Sequence, residues 1–241
     1  MPSTLKYLMP SLLFASVLMA CSPASVPHQE VANELTHTEI WSLNSLTSLN
    51  GYSVNAFGNP TQKNTKLGNV VHFDGDGDRL LVHNNPLGAS TRFTIEVLLN
   101  PADVFPNNWE PRFFHIEALD NPNRRVTIEL RLNDQQQWYL DAYIKSEQGQ
   151  LALIDSTKVH PVNQWAHVAI TYSEGVLTTF VNGRKELSGA VEYLPIDTHA
   201  LTSIGARMNQ VHWFNGDIAQ VAITHKALRP EYFNLLPKLS Q

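Results

Sequence analysis

The sequence predicts an all-β domain whose antiparallel strands form a two-layer sandwich. After residue 38 the apolar residues fall mainly in short runs that alternate with polar residues, which is typical of half-buried strands. These runs lie at residues 93–99, 128–132, 138–144 and 166–170. Turn signals stand between apolar stretches at Asp76-Gly77, Glu174-Gly175 and Asn182-Gly183, where a tight hairpin requires positive φ. Strands with one apolar face each must pack in two layers.

Residues 1–20 have the pattern of a secretion signal. Lys6 precedes an apolar run from Leu8 to Met19, and the small residue Ala20 stands directly before Cys21. A permanent transmembrane helix is the less favoured alternative, because the run is short for a bilayer and Pro10 interrupts it.

The segment Leu18-Met19-Ala20-Cys21 resembles the bacterial lipobox, in which the cysteine accepts lipid and becomes the mature N-terminus. Cys21 is the only cysteine of the chain, so it has no internal disulfide partner. The resemblance implies a lipoprotein of the bacterial cell envelope that is attached to a membrane through its lipid anchor. Ser22 after the cysteine resembles the pattern of lipoproteins sorted to the outer membrane.

Residues 21–36 are predicted to be the lipidated cysteine and a flexible tether, because they are polar and contain proline without strong periodicity. Removal of residues 1–20 takes away Lys6 and no acid, so the net charge falls from −5 to −6 with histidines neutral. Nucleic acid is therefore not an expected partner.

Several motifs after residue 72 resemble a laminin G-like jelly-roll domain of the concanavalin A-like lectin/glucanase superfamily. They are Phe73–Asp78, Phe93–Val97, Trp165–Tyr172, Glu174–Gly183, Ser203–Gly205, Phe214–Ala219 and Ala227-Leu228. The resemblance implies one jelly-roll sandwich, predicted here for residues 37–238. It does not assign a function, because this scaffold carries lectins, protein-binding modules, glucanases and polysaccharide lyases.

Four aspartates are candidate calcium ligands, because oxygen donors at alternate positions suit a hard cation. They are Asp74, Asp76, Asp78 and, on the last predicted strand, Asp217. The first three resemble the start of an EF-hand loop, but Arg79 stands where that loop needs glycine. Relatives often carry aspartate where this chain has Ala219. The alternative is a glycine-rich turn with solvated acids.

Polar side chains that are out of phase with the apolar core are the candidate ligand-binding residues. They are Glu96, Glu129, Arg131, Asp141 and Tyr143, with His212 at the rim. If these strand faces line one groove, charged groups and a phenol converge there, as sugar recognition requires, and arginine favours an acidic sugar. The alternative is a set of cross-strand ion pairs on a solvated sheet without any ligand.

The function predicted from these features is a membrane-anchored, non-catalytic module that binds an extracytoplasmic glycan or an envelope protein. A polysaccharide-active enzyme, either a lyase or a glycosidase, is the alternative. The Glu-x-Asp-x-x-Glu motif of laminarinase-like jelly rolls is absent from the sequence. Alginate lyase-like relatives use arginine, histidine or glutamine, and tyrosine, and the matching candidates here are Arg131, His115 or His212, and Tyr143.

Overall fold

The computed structural model describes residues 1–3 and 37–240. The chain divides between residues 34 and 35, and the second unit contains every strand described below. The predicted signal, the lipid-accepting Cys21 and the tether lie outside the described residues, apart from residues 1–3, and stay predictions. No helix among the described residues is long and apolar enough for a membrane span.

Two antiparallel sheets make up the domain. Sheet I has the strand order β15 (Arg184–Ala190), β14 (Val176–Val181), β13 (Ala166–Ser173), β7 (Phe93–Pro101), β17 (Asn215–Thr224), β5 (Gly68–Asp74) and β4 (Thr61–Thr65), and β1 (Thr38–Ser42) pairs with β17. Sheet II has the order β11 (Gly149–Ile154), β10 (Gln137–Ser146), β9 (Asn121–Leu132), β8 (Arg112–Ala118), β16 (Leu201–Ile204), β6 (Arg79–Val82), β3 (Tyr52–Phe57) and β2 (Ser48–Leu49), and β12 (His160–Pro161) pairs with β10. Two 3₁₀ turns, Pro230–Tyr232 and Leu236–Ser240, follow the last strand.

The hydrophobic core lies between the inner faces of the two sheets. Ile128 of β9 and Trp138 of β10 are fully buried there, as are Ile95 of β7 and Ile170 of β13. Their alternation with outward residues has the period of two that a strand imposes. The predicted all-β, two-layer jelly-roll sandwich is confirmed.

Two of the three predicted turns have the backbone expected of tight hairpins. Glu174 and Gly175 have φ of 51° and 76°, and Asn182 and Gly183 have φ of 49° and 76°. Positive φ at both central residues matches the twist of the flanking strands. At Asp76-Gly77 only the glycine has positive φ, so that turn is of another type.

The outer face of sheet I is covered by the C-terminal segment, residues 227–239. Phe233 and Leu235 are buried against the outward side chains of β7, β13 and β17. Glu96 of β7 lies beneath this segment and is completely buried. The expectation that Glu96 shares a ligand-binding face with the other candidates is therefore corrected: Glu96 is in sheet I, whereas Glu129, Arg131, Asp141 and Tyr143 are in sheet II.

Candidate functional site

Ionisable side chains crowd the outer face of sheet II and form what we call the polar cluster. Its members are Glu110, Arg112, His115, Glu117, Arg125, Glu129, Arg131, Asp141, Arg207 and His212. The strand register aligns Arg112, Glu129 and Asp141 across β8, β9 and β10, and the next row contains His115, Thr127 and Tyr143. Side chains opposite each other on one face of a sheet are close enough to interact.

Arg131 and Arg112 each bind carboxylates within the polar cluster. The Arg131 guanidinium donates to Asp141 Oδ2 from Nη2 at 2.6 Å and from Nε at 3.1 Å, and it also donates to Glu110. Arg112 Nε donates to Glu129 Oε1 at 2.8 Å. The structure therefore brings Glu129, Arg131 and Asp141 together, as the alternation of polar and apolar residues in the sequence predicted.

Residues 206–213, here called the covering segment, lie over the polar cluster. The Met208 N–H donates to His115 Nδ1 at 3.0 Å, and the Arg112 N–H donates to the His212 carbonyl at 2.9 Å. His212 Nε2 lies 2.7 Å from Glu110 Oε1. Because of this cover, His115 is only 1% exposed and Glu129 only 5%.

Trp109 stands at the edge of the polar cluster with 51% of its surface exposed. The Arg131 guanidinium carbon lies 5.4 Å from the centre of the Trp109 ring, which is a cation–π distance. Sequence reasoning missed Trp109, Glu110 and Arg207, because all three lie in loops that have no periodic pattern. The available signal was the sequence Trp109-Glu110-Pro111, which lies directly before β8.

Burial controls the protonation of the groups in the polar cluster. Burial, together with repulsion from Arg207, Arg125 and Arg112, holds the pKa of His115 well below its usual value, so this imidazole is neutral at pH 7. Its Nδ1 accepts a hydrogen bond, so the proton is on Nε2. Burial also raises the pKa of Glu129 despite the nearby arginines, and it lowers the pKa of His212.

Several polar atoms of the polar cluster are buried without a hydrogen-bond partner. They are Arg112 Nη1, His115 Nε2, Arg125 Nε, Asp141 Oδ1 and Arg207 Nε. Together with Thr127 Oγ1 on the same face of β9, they make up six of the eleven such atoms in the described residues. Buried polar groups normally have partners. These atoms therefore mark a place where a ligand or ordered water is favourable.

A separate depression of about 500 Å³ lies beside the C-terminal segment. Thr38, Thr224, Leu228 and Tyr232 are among its lining residues, and none of the predicted site residues reaches it. We favour the polar cluster as the site because its buried polar atoms lack partners, whereas volume alone identifies this depression.

A family model described as the concanavalin A-like lectin/glucanases superfamily matches residues 73–232. The chain belongs to this superfamily. A search of curated proteins gives no match.

Solved structures of concanavalin A-like domains share its fold at low identity. Domain 4 of AbnA, an extracellular arabinanase from Geobacillus stearothermophilus in complex with arabinotriose, aligns with a TM-score of 0.63 and 17% identity over 86% of this chain and 99% of that one. The binding domain of botulinum neurotoxin DC aligns at 17% identity over 84% of this chain in two complexes. These are with rat synaptotagmin II, at a TM-score of 0.63, and with SialylT, at 0.62. This chain spans about half the length, 51%, of those two chains.

The catalytic candidates of this concanavalin A-like domain do not meet at one point, and Tyr143 lies outside the polar cluster. Arg131 and His212 both contact Glu110. The Tyr143 hydroxyl instead donates to Gln150 Oε1 at 2.9 Å, and its ring lies 5.1 Å from the Arg125 guanidinium carbon. The strand that carries Thr127 lies between Tyr143 and His115.

The predicted calcium ligands of this concanavalin A-like domain are not assembled into one site. Asp78 accepts hydrogen bonds from the backbone N–H groups of Asn59 at 2.5 Å and Asp74 at 2.9 Å. Asp217 Oδ1 is 2.7 Å from His72 Nδ1 and 3.3 Å from Lys63 Nζ. Within residues 1–3 and 37–240, no group of three or more His, Cys, Asp or Glu side chains could hold a metal ion. The calcium expectation for Asp74, Asp76, Asp78 and Asp217 therefore does not fit the geometry.

Proposed function

We propose that this chain is a membrane-anchored, non-catalytic module that binds an extracytoplasmic glycan at the polar cluster. The observation that carries the proposal is the exposed Trp109 ring beside buried hydrogen-bonding groups that lack partners. A sugar ring stacks its apolar face on an aromatic side chain, while its hydroxyl groups need nearby donors and acceptors. Trp109 supplies the aromatic surface, and Arg112 and Asp141 supply a free donor and a free acceptor.

The comparisons support a binding role. One similar domain is described in complex with arabinotriose, and another is described as a binding domain in complex with SialylT. Because identity is 17%, these structures support the fold and leave the ligand of this chain to experiment.

The hydrogen bonding of the candidate catalytic groups favours binding over catalysis. Arg131 is engaged with Asp141 and Glu110, and His115 is buried with Nδ1 already accepting a hydrogen bond. A general base must reach the proton that it removes. With these contacts in place, Arg131 is not free to neutralise a uronate, and His115 Nδ1 is not free to take a proton from a sugar.

The lipobox-like sequence at Cys21 supports placement in the bacterial envelope, attached through lipid to the outer membrane. In this arrangement the tether presents the sandwich to glycans outside the cytoplasm. An envelope protein is the competing partner.

The test is a panel of neutral and acidic polysaccharides offered to the chain carrying Cys21→Ser. We expect retention of at least one glycan, and Trp109→Ala should weaken it about tenfold through loss of ring stacking. Tyr232→Ala is the matched control, because Tyr232 is 58% exposed and lies beneath Arg229 at a cation–π distance of 5.2 Å. Retention should be unchanged in this control.

Three results would count against the proposal. Formation of unsaturated sugar ends after the polysaccharides are incubated with the protein would show that the protein is a lyase. If Trp109→Ala and Tyr232→Ala weaken glycan retention equally, the binding site is not at the polar cluster. The absence of both retention and product formation with every polysaccharide of the panel would favour an envelope protein as the partner.

A further inference from the structure

Arg112, Arg125 and Arg207, here called the arginine triad, surround His115. Arg112 lies on the same strand, and Arg125 lies on the neighbouring strand opposite Glu117. Arg207 is adjacent to Met208, whose N–H donates to His115 Nδ1. All three guanidinium groups lower the pKa of His115 and therefore act on it electrostatically.

The arginine triad and His115 hold a set of buried donors that lack acceptors. Arg112 Nη1, Arg125 Nε, Arg207 Nε and the protonated His115 Nε2 have no hydrogen-bond partner in the described part of the chain. Arg112 and His115 are only 8% and 1% exposed, so bulk water does not reach them freely. Leaving such donors unpaired is unfavourable.

The carboxylates at this end of the polar cluster leave guanidinium nitrogens of the arginine triad unpaired. The nearby carboxylates are Glu117, whose Oε2 lies 3.5 Å from His115 Nε2, and Glu129, which already accepts from Arg112 Nε. Glu110 Oε2 lies 3.6 Å from Arg112 Nη2, but Glu110 also binds Arg131 and His212. Arg207 lies 3.9 Å from Glu129 and is repelled by Arg112 and Arg125, so it is weakly compensated. The arginine triad thus faces three carboxylates, of which Glu110 is shared with residues outside the triad. Burial disfavours the ionised form of the other two, Glu117 and Glu129.

We propose that the arginine triad and His115 bind an anionic substituent of the glycan, a carboxylate or a sulfate ester. This rests on the proposed function and names its ligand class. An anion supplies several acceptor lone pairs at one point, and the planar guanidinium fork matches both groups. The Arg207 side chain is 21% exposed and Arg125 is half-buried, so the anion enters beside them.

The first experiment uses small anions, so that it does not depend on glycan binding. The chain carrying Cys21→Ser is titrated with sodium sulfate and with sodium glucuronate at constant ionic strength, and Tm is measured. We expect at least one anion to raise Tm. Arg207→Gln should abolish the rise, and the control Arg184→Gln, which alters an exposed arginine of β15, should retain it. Arg125→Gln replaces Arg207→Gln if the latter does not fold.

The second experiment uses matched polymers. Polygalacturonate is compared with its carboxyl-reduced form, and dextran sulfate with dextran, which separates carboxylate from sulfate as the source of the anion. We expect the preferred anionic polymer to bind at least tenfold more tightly than its neutral partner, and Arg207→Gln to remove that preference.

The results distinguish the two proposals. Retention of neutral polymers together with no Tm response to either anion overturns the anion site and leaves glycan binding in place. A Tm response that depends on Arg207, without retention of any polymer, supports the anion site and overturns the proposed function. If the anions raise the Tm of Arg207→Gln and of Arg184→Gln equally, the anion site is overturned, whatever the polymers do.

Discussion

Glu96 is a buried carboxylate that joins β7, β13 and the C-terminal segment. Its Oε2 lies 2.9 Å from His167 Nε2 and accepts from the Leu235 N–H, and its Oε1 accepts from the backbone and side-chain nitrogens of Asn234. Burial alone would raise the pKa of Glu96, but these hydrogen bonds outweigh it and the net pKa is lowered. Glu96 therefore has a structural role in sheet I.

Replacement of this carboxylate should destabilise the protein in a pH-dependent manner. Because the pKa of Glu96 is lower in the folded state, its contribution is present above the ordinary value of 4.5 and is lost as pH falls through the folded pKa. At pH 7, Glu96→Gln should lower the free energy of unfolding by about 2 kcal/mol. The difference in the free energy of unfolding between wild type and Glu96→Gln should become smaller as the pH falls.

Urea denaturation at a series of pH values measures this difference. Glu231→Gln is the control, because the Glu231 side chain is 54% exposed and forms a surface ion pair with Arg229. A gap between wild type and Glu96→Gln that stays constant down to acid pH would contradict the prediction.

At the scale of elements, the sequence predicted the faces of β9 and β10, where apolar and charged residues alternate, better than the surroundings of β7. In β9 and β10 the alternation identifies both the inward core and the outward Glu129 and Asp141. In β7 the burial is nearly continuous, since the C-terminal segment covers the outer face, and local alternation carries no information about that cover. Alternation also does not identify the sheet to which a strand belongs, which is why Glu96 of sheet I was grouped with residues of sheet II.

The candidate site was predictable only where strands build it. The phase of β9 and β10 predicted Glu129, Arg131 and Asp141, because a period of two fixes which side chains share a face. Trp109 and Arg207 come from loops before β8 and after β16, which long-range pairing brings together. No local pattern encodes that contact.

The start of β17 depends on Gly216, which lies between β5 and β7. Its φ is 139°, and a Cβ added there would lie 2.3 Å from the Asn100 carbonyl oxygen. Gly216→Ala should therefore lower the free energy of unfolding by about 2–3 kcal/mol, through backbone strain and displacement of β7.

Gly149→Ala is the matched control, because its added Cβ would meet the Glu192 carbonyl oxygen at 3.5 Å, an ordinary contact. Chemical denaturation of both variants tests the prediction. Equal stability of the two would show that the strand crossing at Gly216 tolerates a side chain.

At the scale of the whole molecule, the predicted lipid anchor and the candidate binding site lie in different parts of the chain. The predicted lipid site is Cys21, whereas the polar cluster belongs to sheet II. Cys21→Ser should therefore move the protein from the membrane fraction to the soluble fraction of a bacterial host while leaving its Tm unchanged. Fractionation with immunodetection measures the first effect. Continued membrane retention of the variant would contradict lipid anchoring.

The edge strands of sheet I affect how copies of this protein behave when crowded. The edge strands are β4 and β15. Gln62, Lys63 and Asn64 of β4 are exposed, and β15 begins with the exposed residues Arg184 and Lys185. Charged and polar side chains on an unpaired edge oppose strand addition by a neighbouring sandwich. Copies of the protein at high local concentration are thus protected from edge-to-edge aggregation by these two strands.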